Sequence, residues 1–268
     1  MRLAVFQFAA GEDIYANFCA IKRAILKAAE QSVRLIVFQE CALCGYPPIE
    51  RPDVENLDFK SVELCVGNVR ELAKEHRMYV ALGLVTKEGE ACYNTMLVIA
   101  PSGETMGSYD KRALWGYDLR HFKKGRSAGV FEIDGVKTGF RICYEVRFPE
   151  YFRELFRARA QLCFVSFSDV AEEALPARYG IIKAHLITRA VENVMTVVSV
   201  NSVSNFQTAP TAVFDVDGYV AAEAPLGEEF LLVYDYDIPE LGFGARGRLE
   251  NSMEAMAEKH ISAASRAE

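Results

Sequence analysis

The sequence predicts an α/β fold in which strands and helices stack in layers. Short β-branched runs alternate with longer amphipathic stretches over the first two thirds of the chain, which is the pattern of layered α/β domains. The 268 residues are 51% hydrophobic and 25% charged, as in an ordinary globular protein. We therefore expect one domain over residues 1–268, with a polar, alanine-rich tail from about residue 251.

The first half of the chain predicts two strand-helix units and a hairpin. The strand RLAVFQF is followed by an amphipathic helix over 13–32, and the strand RLIVF by a second helix over 58–76. The strand MYVALGLV comes next. A hairpin is then predicted in CYNTMLVIAPSGETMGSYD, with its turn at Pro101-Ser102-Gly103.

The second half predicts a similar alternation and ends in strands. VKTGFRIC reads as a strand, and a helix begins at Pro149, which suits a first helical turn. The strand LCFVSF and a helix over 176–193 follow. Three further strands are predicted, with a tight turn at Asp217-Gly218: VMTVVSVN, PTAVFDVDGYVAA and EEFLLVYDYD.

Charge and hydropathy exclude two classes of partner. The net charge is -7 with a pI near 5.3, so no broad basic surface is available for nucleic acid. The N-terminal apolar run is short and soon meets Glu12 and Asp13, unlike a signal peptide. No apolar run approaches the roughly 18 residues of a membrane helix. We expect a cytoplasmic protein without nucleic-acid or membrane partners.

Two local motifs are interpreted as structural. The pair Cys41 and Cys44 has C-x-x-C spacing, but a zinc site needs a second pair, and the GYPP that follows stops a helix. The four histidines offer no ligand spacing, so no metal is expected. GFGARG over 242–247 matches a dinucleotide fingerprint, yet too little chain follows it for a βαβ unit. We interpret it as a loop and expect no cofactor.

Three reactive residues close apolar strands. Glu40 ends LIVFQE, Lys111 follows GSYD, and Cys143 ends GFRIC. Ligand crevices in layered α/β proteins gather at strand ends. The seven cysteines are an odd number, which favours reduced thiols over a disulfide framework.

A thiol, a carboxylate and an ammonium together are sufficient for acyl transfer from nitrogen to water. The thiol attacks as thiolate and needs a neighbour that accepts its proton. A carboxylate can do so and can return the proton to a leaving amine. An ammonium stabilises the oxyanion of the tetrahedral intermediate.

Five stretches extend this pattern along the chain: FQECALCGYPP, CYNTMLVIAPSGE, YDKRALW, RICYEVRFPE and ARYGIIKAHLITRAVENVMTVVSVN. In order and spacing, from residue 1 to about 237, they resemble the motifs of the nitrilase superfamily of carbon-nitrogen hydrolases. The resemblance implies a four-layer α-β-β-α sandwich that forms a homodimer or a higher homo-oligomer. It also implies a reaction without metal or organic cofactor.

The same resemblance assigns roles to matching positions. Cys143 would attack the carbonyl, and Glu40 would act as general base and then acid. Lys111 and the backbone N–H of Tyr144 would hold the oxyanion. Many members carry a second glutamate about seven residues after the lysine, whereas this chain has Asp118, which would orient the lysine or a water.

Neighbouring charges near the cysteine are expected to shape its loop. Glu145 occupies a position that is acidic across the family, and we expect a structural salt bridge there. Arg147 and Glu150 are expected to fix the turn into the helix at Pro149, and not to contact substrate.

The substrate class follows from the residue after the cysteine. Nitrile-hydrolysing members tend to be longer and place a tryptophan there, whereas this chain has Tyr144. A small non-peptide amide is therefore the expected substrate. Aromatic and polar strand ends supply the candidate substrate-binding residues: Tyr46, Trp115, Tyr117, Phe122, Phe167 and Ser168, the last followed by Asp169.

Three alternatives stay open. The chain could hydrolyse an N-carbamoyl compound. It could also act as a stand-alone, glutaminase-like ammonia donor, because GYPP resembles the glutaminase domains that feed NAD synthetases. The non-enzyme alternative is a catalytically weak binding module with the same fold.

Overall fold

The computed structural model describes residues 1–257 and contains two six-stranded sheets. The first half of the chain forms β1 (Arg2–Gln7), α1 (Ile14–Glu30), β2 (Leu35–Phe38), α2 (Phe59–Glu75), β3 (Tyr79–Glu88), β4 (Ala91–Ile99) and β5 (Thr105–Asp110). The middle of the chain forms α3 (Asp118–His121), β6 (Val130–Ile133), β7 (Val136–Ile142), a 3-10 turn (Cys143–Arg147), α4 (Pro149–Arg157), β8 (Leu162–Ser166), β9 (Val170–Ala171) and α5 (Pro176–Asn193). The last elements are β10 (Thr196–Val200), β11 (Phe206–Gln207), β12 (Ala212–Phe214), β13 (Val220–Glu223), β14 (Phe230–Asp235) and α6 (Phe243–Ala257).

Local sequence explains where the first two long helices begin. Asp13 accepts hydrogen bonds from the backbone N–H groups of the second and third residues after it, and Asp58 does the same for α2. Such N-caps satisfy donors that a helix leaves unpaired. The predicted starts at residues 13 and 58 are therefore caps, one residue before the helices.

The two sheets have related strand orders. The first runs β14-β1-β2-β3-β4-β5 and the second β13-β12-β10-β8-β7-β6. The centre of each is parallel, through β1-β2-β3 and β7-β8-β10. Antiparallel hairpins complete the edges. Parallel pairing places the ends of β7 and β8 at one edge of the second sheet, and the end of β2 at the same edge of the first sheet as those of β1 and β3.

Three hydrophobic clusters make this a four-layer α-β-β-α sandwich. One cluster fills the space between the sheets, with Val5, Val37 and Phe164 among its buried members. A second packs α1 and α2 on the outer face of the first sheet, and a third packs α4 and α5 on the second. The predicted fold is confirmed.

Some local predictions need correction. The predicted loop over 242–247 is wrong, because Phe243 begins α6 and the helix continues past residue 251 to Ala257. Residues 258–268 of the predicted tail lie outside the described residues. The short elements α3, β6, β9 and β11 were not predicted, since two to four residues carry too little periodicity. Within residues 1–257, no helix is long and apolar enough to cross a membrane.

Candidate active site

The three strand ends that carry the reactive residues meet across the two sheets. Glu40 follows β2 and Lys111 follows β5 in the first sheet, whereas Cys143 follows β7 in the second. The Ser166 hydroxyl at the end of β8 donates to the carbonyl of Phe38 at the end of β2, 3.1 Å away. Direct contact between the sheets at this end therefore brings their terminal residues together.

Two glycines permit the backbone to close around the carboxylate and the lysine. A Cβ at Gly83 in β3 would lie 2.0 Å from the carbonyl oxygen of Gln39, and one at Gly125 would lie 2.1 Å from that of Asp110. No other residue fits at such separations. Gly125 also donates its N–H to the carbonyl of Lys111. These close approaches fix the backbone on either side of the site.

Glu40 is held at both carboxylate oxygens. Its Oε1 accepts from Lys111 Nζ and from Asn94 Nδ2, each at 2.7 Å. Its Oε2 accepts from the backbone N–H of Ser168 at 2.9 Å. Asn94 was not singled out from the sequence, although a polar side chain inside the apolar strand CYNTMLVI is a usable signal.

Lys111 is a buried cation between two carboxylates. Only 2% of its side chain is exposed, and Nζ donates to Glu40 Oε1 and to Asp118 Oδ2, both at 2.7 Å. Burial lowers the pKa of Lys111, but the negative charges around it, Glu40 first, outweigh burial and raise that pKa well above its usual value. Lys111 is thus an ammonium at neutral pH.

Cys143 sits on a sharp backbone turn beside this cluster. Its φ of 48° lies in the left-handed region, which is uncommon for a residue with a side chain. The thiol is partly buried. Burial, and after it the charge of Glu40, raise the pKa of the Cys143 thiol well above its usual value, while the Lys111 ammonium acts in the opposite direction. The resting thiol is therefore neutral and needs a base.

Glu145 links the segment that follows Lys111 to the turn at Cys143. Its buried carboxylate accepts backbone N–H bonds from Arg112 at 2.6 Å, Ala113 at 3.3 Å and Ile142 at 2.8 Å, and the hydroxyl of Tyr109 donates at 2.8 Å. The expected salt bridge is wrong, because the ion pairs of the described residues include none to Glu145. Burial raises the pKa of Glu145. The turn is held by hydrogen bonds to this carboxylate.

A cavity of about 210 Å³ opens onto the cluster. Three of the candidate substrate-binding residues line it, namely Tyr46, Trp115 and Ser168. The ring of Trp115 is stacked on Tyr144, with 6.0 Å between the ring centroids. The remaining lining comes from Ile49, Lys111, Asp118, Cys143, Tyr144, Arg147, Asp169, Val170 and Arg178.

The other three candidates are not among the lining residues. Phe122 and Phe167 are buried in two of the hydrophobic clusters. Tyr117 stacks on His121, and its hydroxyl accepts the backbone N–H of Val54 at 3.0 Å. These aromatic side chains pack the structure around the site.

The predicted role of Arg147 in fixing the turn stays a prediction. Its side chain lines the cavity, and the hydrogen bonds of the described residues include none from it to the turn. Its guanidinium lies 5.4 Å from the ring centroid of Tyr144. Glu150 is exposed in the first turn of α4. Glu145 performs the structural role that we expected of both, because it is buried where the backbone donors converge.

A larger groove of about 600 Å³ lies elsewhere, between the start of α5 and the segment around Phe206. It contains none of the predicted site residues.

No group of three or more His, Cys, Asp or Glu side chains within residues 1–257 is placed to hold a metal ion. The pair Cys41 and Cys44 is fully buried in the cluster beneath α1 and α2, as expected of packing residues.

Replacing Glu40 by glutamine is expected to lower the pKa of Cys143. The Glu40 charge is one of the causes that raise this pKa, whereas the opposing effect of Lys111 remains in the variant. Thiolate will then form at lower pH, because the carboxylate no longer opposes it. The measurement is the rate of alkylation of Cys143 by iodoacetamide against pH, followed by mass spectrometry.

Cys92 provides an internal control in the same experiment. It is also partly buried, and the charges that shift its pKa come from Lys87, Glu55 and Glu90. Its alkylation profile should be unchanged by the substitution. If the pH dependence of Cys143 alkylation does not change in the variant, or shifts to higher pH, then the charge of Glu40 does not raise the pKa of the Cys143 thiol.

Comparison with known protein families gives a match over most of the chain. A model described as carbon-nitrogen hydrolase matches residues 2–245. The amidase of Nesterenkonia sp. AN1 is a structural neighbour with a TM-score of 0.80 and 25% identity, covering 96% of this chain and 98% of that one.

Curated relatives match more partially. The chain is 31% identical over 170 residues to the 2-oxoglutaramate amidase of Bacillus subtilis (strain 168), which is 62% of each protein. It is 29% identical over 252 residues to the glutamine-dependent NAD(+) synthetase of Aquifex aeolicus (strain VF5), covering 90% of this chain but 42% of the synthetase. The matched region thus spans about three fifths or less of these relatives' length.

Proposed function

Because this chain belongs to the carbon-nitrogen hydrolase family, we propose that it hydrolyses a small non-peptide amide through a thioester on Cys143. The observation that carries the proposal is the hydrogen-bonded cluster of Glu40, Lys111 and Asp118 on the cavity that Cys143 lines. A thiol, a base and a fixed cation lie together there.

In the first half of the reaction, the sulfur of Cys143 forms a bond to the amide carbonyl carbon. The thiol proton passes to Glu40, and the carbonyl π electrons move to the oxygen. Lys111 has three N–H donors, of which Glu40 and Asp118 occupy two. The third is left for the oxyanion, together with the backbone N–H of Tyr144. Collapse breaks the C–N bond, and Glu40 returns its proton to the leaving nitrogen.

In the second half, water attacks the thioester carbonyl and gives a proton to Glu40. The C–S bond then breaks, the acid leaves, and the proton returns to the sulfur. Glu40 suits both steps because its bonds to Lys111, Asn94 and Ser168 fix it in place.

Arg147 supports an amide that also carries a carboxylate. It lines the cavity without an acidic partner among the ion pairs of the described residues, whereas the neighbouring Arg178 is paired with Asp169 at 2.6 Å. An unpaired guanidinium at a pocket wall favours an anionic ligand group. The name of the Bacillus relative, 2-oxoglutaramate amidase, describes an amide of this chemical class.

A second candidate is a glutaminase-like supply of ammonia. The match over 252 residues to a glutamine-dependent NAD(+) synthetase favours it. Glutamine also bears a carboxylate, but its additional ammonium gives it a different net charge from an amide that carries a carboxylate alone. N-carbamoyl compounds that bear a carboxylate are a third group of candidate substrates, and the ammonia-release assay below includes one of them.

The test is ammonia release from matched amides with and without a carboxylate. Succinamate and glutaramate are compared with butyramide and valeramide, and glutamine and N-carbamoyl-β-alanine complete the panel. We expect the carboxylated amides to have the higher kcat/KM, and mass spectrometry to detect an acyl adduct on Cys143. Arg147→Met should raise KM for the carboxylated amides by about ten-fold or more, since a hydrogen bond between charged groups is lost.

The neutral amides serve as the internal control, because their KM should change little in Arg147→Met. Arg178→Met is the matched variant, since the charge of Arg178 is already paired with Asp169, and its effect should be smaller. Equal losses on neutral and carboxylated amides would remove the carboxylate from the proposal. A homodimeric or larger assembly and a cytoplasmic location stay predictions.

A further inference from the structure

Glu145 divides its two carboxylate oxygens between the two halves of the site. Its Oε1 accepts from the backbone N–H of Arg112 at 2.6 Å, directly after Lys111 in the sequence. Its Oε2 accepts from the backbone N–H of Ile142 at 2.8 Å, directly before Cys143. A single planar group therefore connects the backbone that carries the ammonium to the backbone that carries the sulfur.

The two oxygens are held by different numbers of donors. Besides Arg112, Oε1 accepts from the backbone N–H of Ala113 at 3.3 Å and from the hydroxyl of Tyr109 at 2.8 Å. The Tyr109 ring packs so closely on Gly129 that a Cβ there would lie 2.4 Å from a ring atom, which leaves the ring little freedom. Among the hydrogen bonds of residues 1–257, Oε2 has the Ile142 N–H alone.

The single bond to Oε2 lies next to a residue in an uncommon backbone conformation. Cys143 has a φ of 48°, in the left-handed region, which a residue with a side chain keeps only when its surroundings hold it there. Glu145 is fully buried and Ile142 is almost fully buried. Solvent therefore cannot supply a substitute acceptor for the Ile142 N–H. This bond is a local support of the turn at Cys143.

We propose that Glu145 is a positioning residue that aligns the Cys143 sulfur with the Lys111 ammonium, and that this role requires an acceptor at both of its oxygens. Glu145 is not among the residues that line the cavity, so it acts through its two neighbours. The role rests on the proposed function, because there the sulfur binds the carbonyl carbon while the ammonium stabilises the oxygen of the same carbonyl. A misplacement of about an ångström between such groups is costly to turnover.

Glu145→Gln tests the second acceptor with almost no change of shape. A glutamine has one oxygen and one NH2 group, and its oxygen satisfies more donors at the Oε1 position than at the Oε2 position. The NH2 group then faces the Ile142 N–H, so the bond on the cysteine side is lost. We expect kcat for the best amide to fall about ten-fold or more, with KM changed less than about two-fold. An unchanged kcat, or a loss that appears in KM alone, would overturn the proposal.

Hydrogen–deuterium exchange of the backbone amides reads the same bond without turnover. In Glu145→Gln the amide of Ile142 should exchange about ten-fold faster or more than in wild type. The amide of Arg112, whose acceptor remains, should change much less. Equal acceleration at both amides would indicate a general loosening of the fold and would overturn the proposal, as would an unchanged rate at Ile142.

Tyr109→Phe is the matched control at the same carboxylate. It removes one donor from Oε1 but leaves both oxygens bonded to backbone N–H groups. Its kcat should therefore fall less than about three-fold. A loss as large as that in Glu145→Gln would overturn the requirement for an acceptor on each side.

Leu186→Ala is the control for stability. It leaves a cavity in the cluster beneath α4 and α5 and should lower the urea midpoint of unfolding, while kcat per folded molecule stays that of wild type. A kcat loss equal to that of Glu145→Gln would assign the effect to stability and overturn the proposal. If wild type itself releases no ammonia, the proposed function fails, and the exchange rates alone decide whether Glu145 holds the turn at Cys143.

Discussion

Replacing Cys143 by alanine is expected to lower kcat for the best amide by roughly a thousand-fold or more. The thioester cannot form without the sulfur, and the remaining cluster can only polarise a carbonyl and activate water. The Cys143 side chain is partly buried at a turn that the Glu145 carboxylate holds. Loss of one sulfur atom there should leave the fold intact. The measurement is ammonia release, with the acyl adduct followed by mass spectrometry.

Cys92→Ala is the matched control for this substitution, since Cys92 is also a partly buried free thiol but packs against the cluster beneath α1 and α2. It should retain full turnover and the Cys143 adduct. Thermal unfolding of both variants checks the fold. Turnover that survives Cys143→Ala would exclude thiol catalysis.

Replacing Lys111 by methionine is expected to reduce both turnover and stability. The variant loses the cation that faces the oxyanion, so kcat should fall by about a hundred-fold or more. It also leaves Glu40 and Asp118 buried without their shared counter-charge. Removing one partner of a buried ion pair costs about 3–5 kcal/mol. Urea unfolding measures the second effect, and kcat per folded molecule measures the first.

The pKa of Lys111 fixes the pH range of this stability difference. Since the folded pKa lies above the usual lysine value, the ammonium contributes fully below that usual value and is lost as pH rises through the raised pKa. The contribution of the Lys111 ammonium to the stability of wild type should therefore be constant across neutral pH. Lys183→Met is the control, because its partly exposed pair with Glu223 is worth about 0–1 kcal/mol. An equal loss in both variants would contradict the buried ion pair.

The strand-end residues were predictable because their chemistry conflicts with their surroundings. Glu40 and Cys143 each end a largely apolar strand, and Lys111 follows the strand segment GSYD. A charge or thiol that becomes buried at such a strand end needs a partner. The contacts of Asp118 were not predictable, since one of them is a hydrogen bond of 2.8 Å from the hydroxyl of Tyr46, which is distant in sequence.

The charged residues of the cysteine turn show where the sequence-based predictions failed. Glu145 and Arg147 are two residues apart, and nothing in that spacing tells which one turns inward. The backbone donors of Arg112 and Ala113 come from another segment and select Glu145. Arg147 is then left on the cavity wall. Tyr117, Phe122 and Phe167 are not among the residues that line the cavity, and aromatic side chains at strand ends suit a core and a pocket equally.

The sequence by itself determined the layers, the order of the main strands and helices, and the three reactive strand ends, because hydrophobic periodicity, helix caps and turn residues act over a few neighbouring residues. Only the tertiary structure decided which oxygen faces which donor. Pairings such as Lys111 with Asp118, Tyr46 with Asp118 and Ser168 with Glu40 depend on how two sheets pack at distances of a few ångströms. The periodicity of a single segment carries no information about that packing.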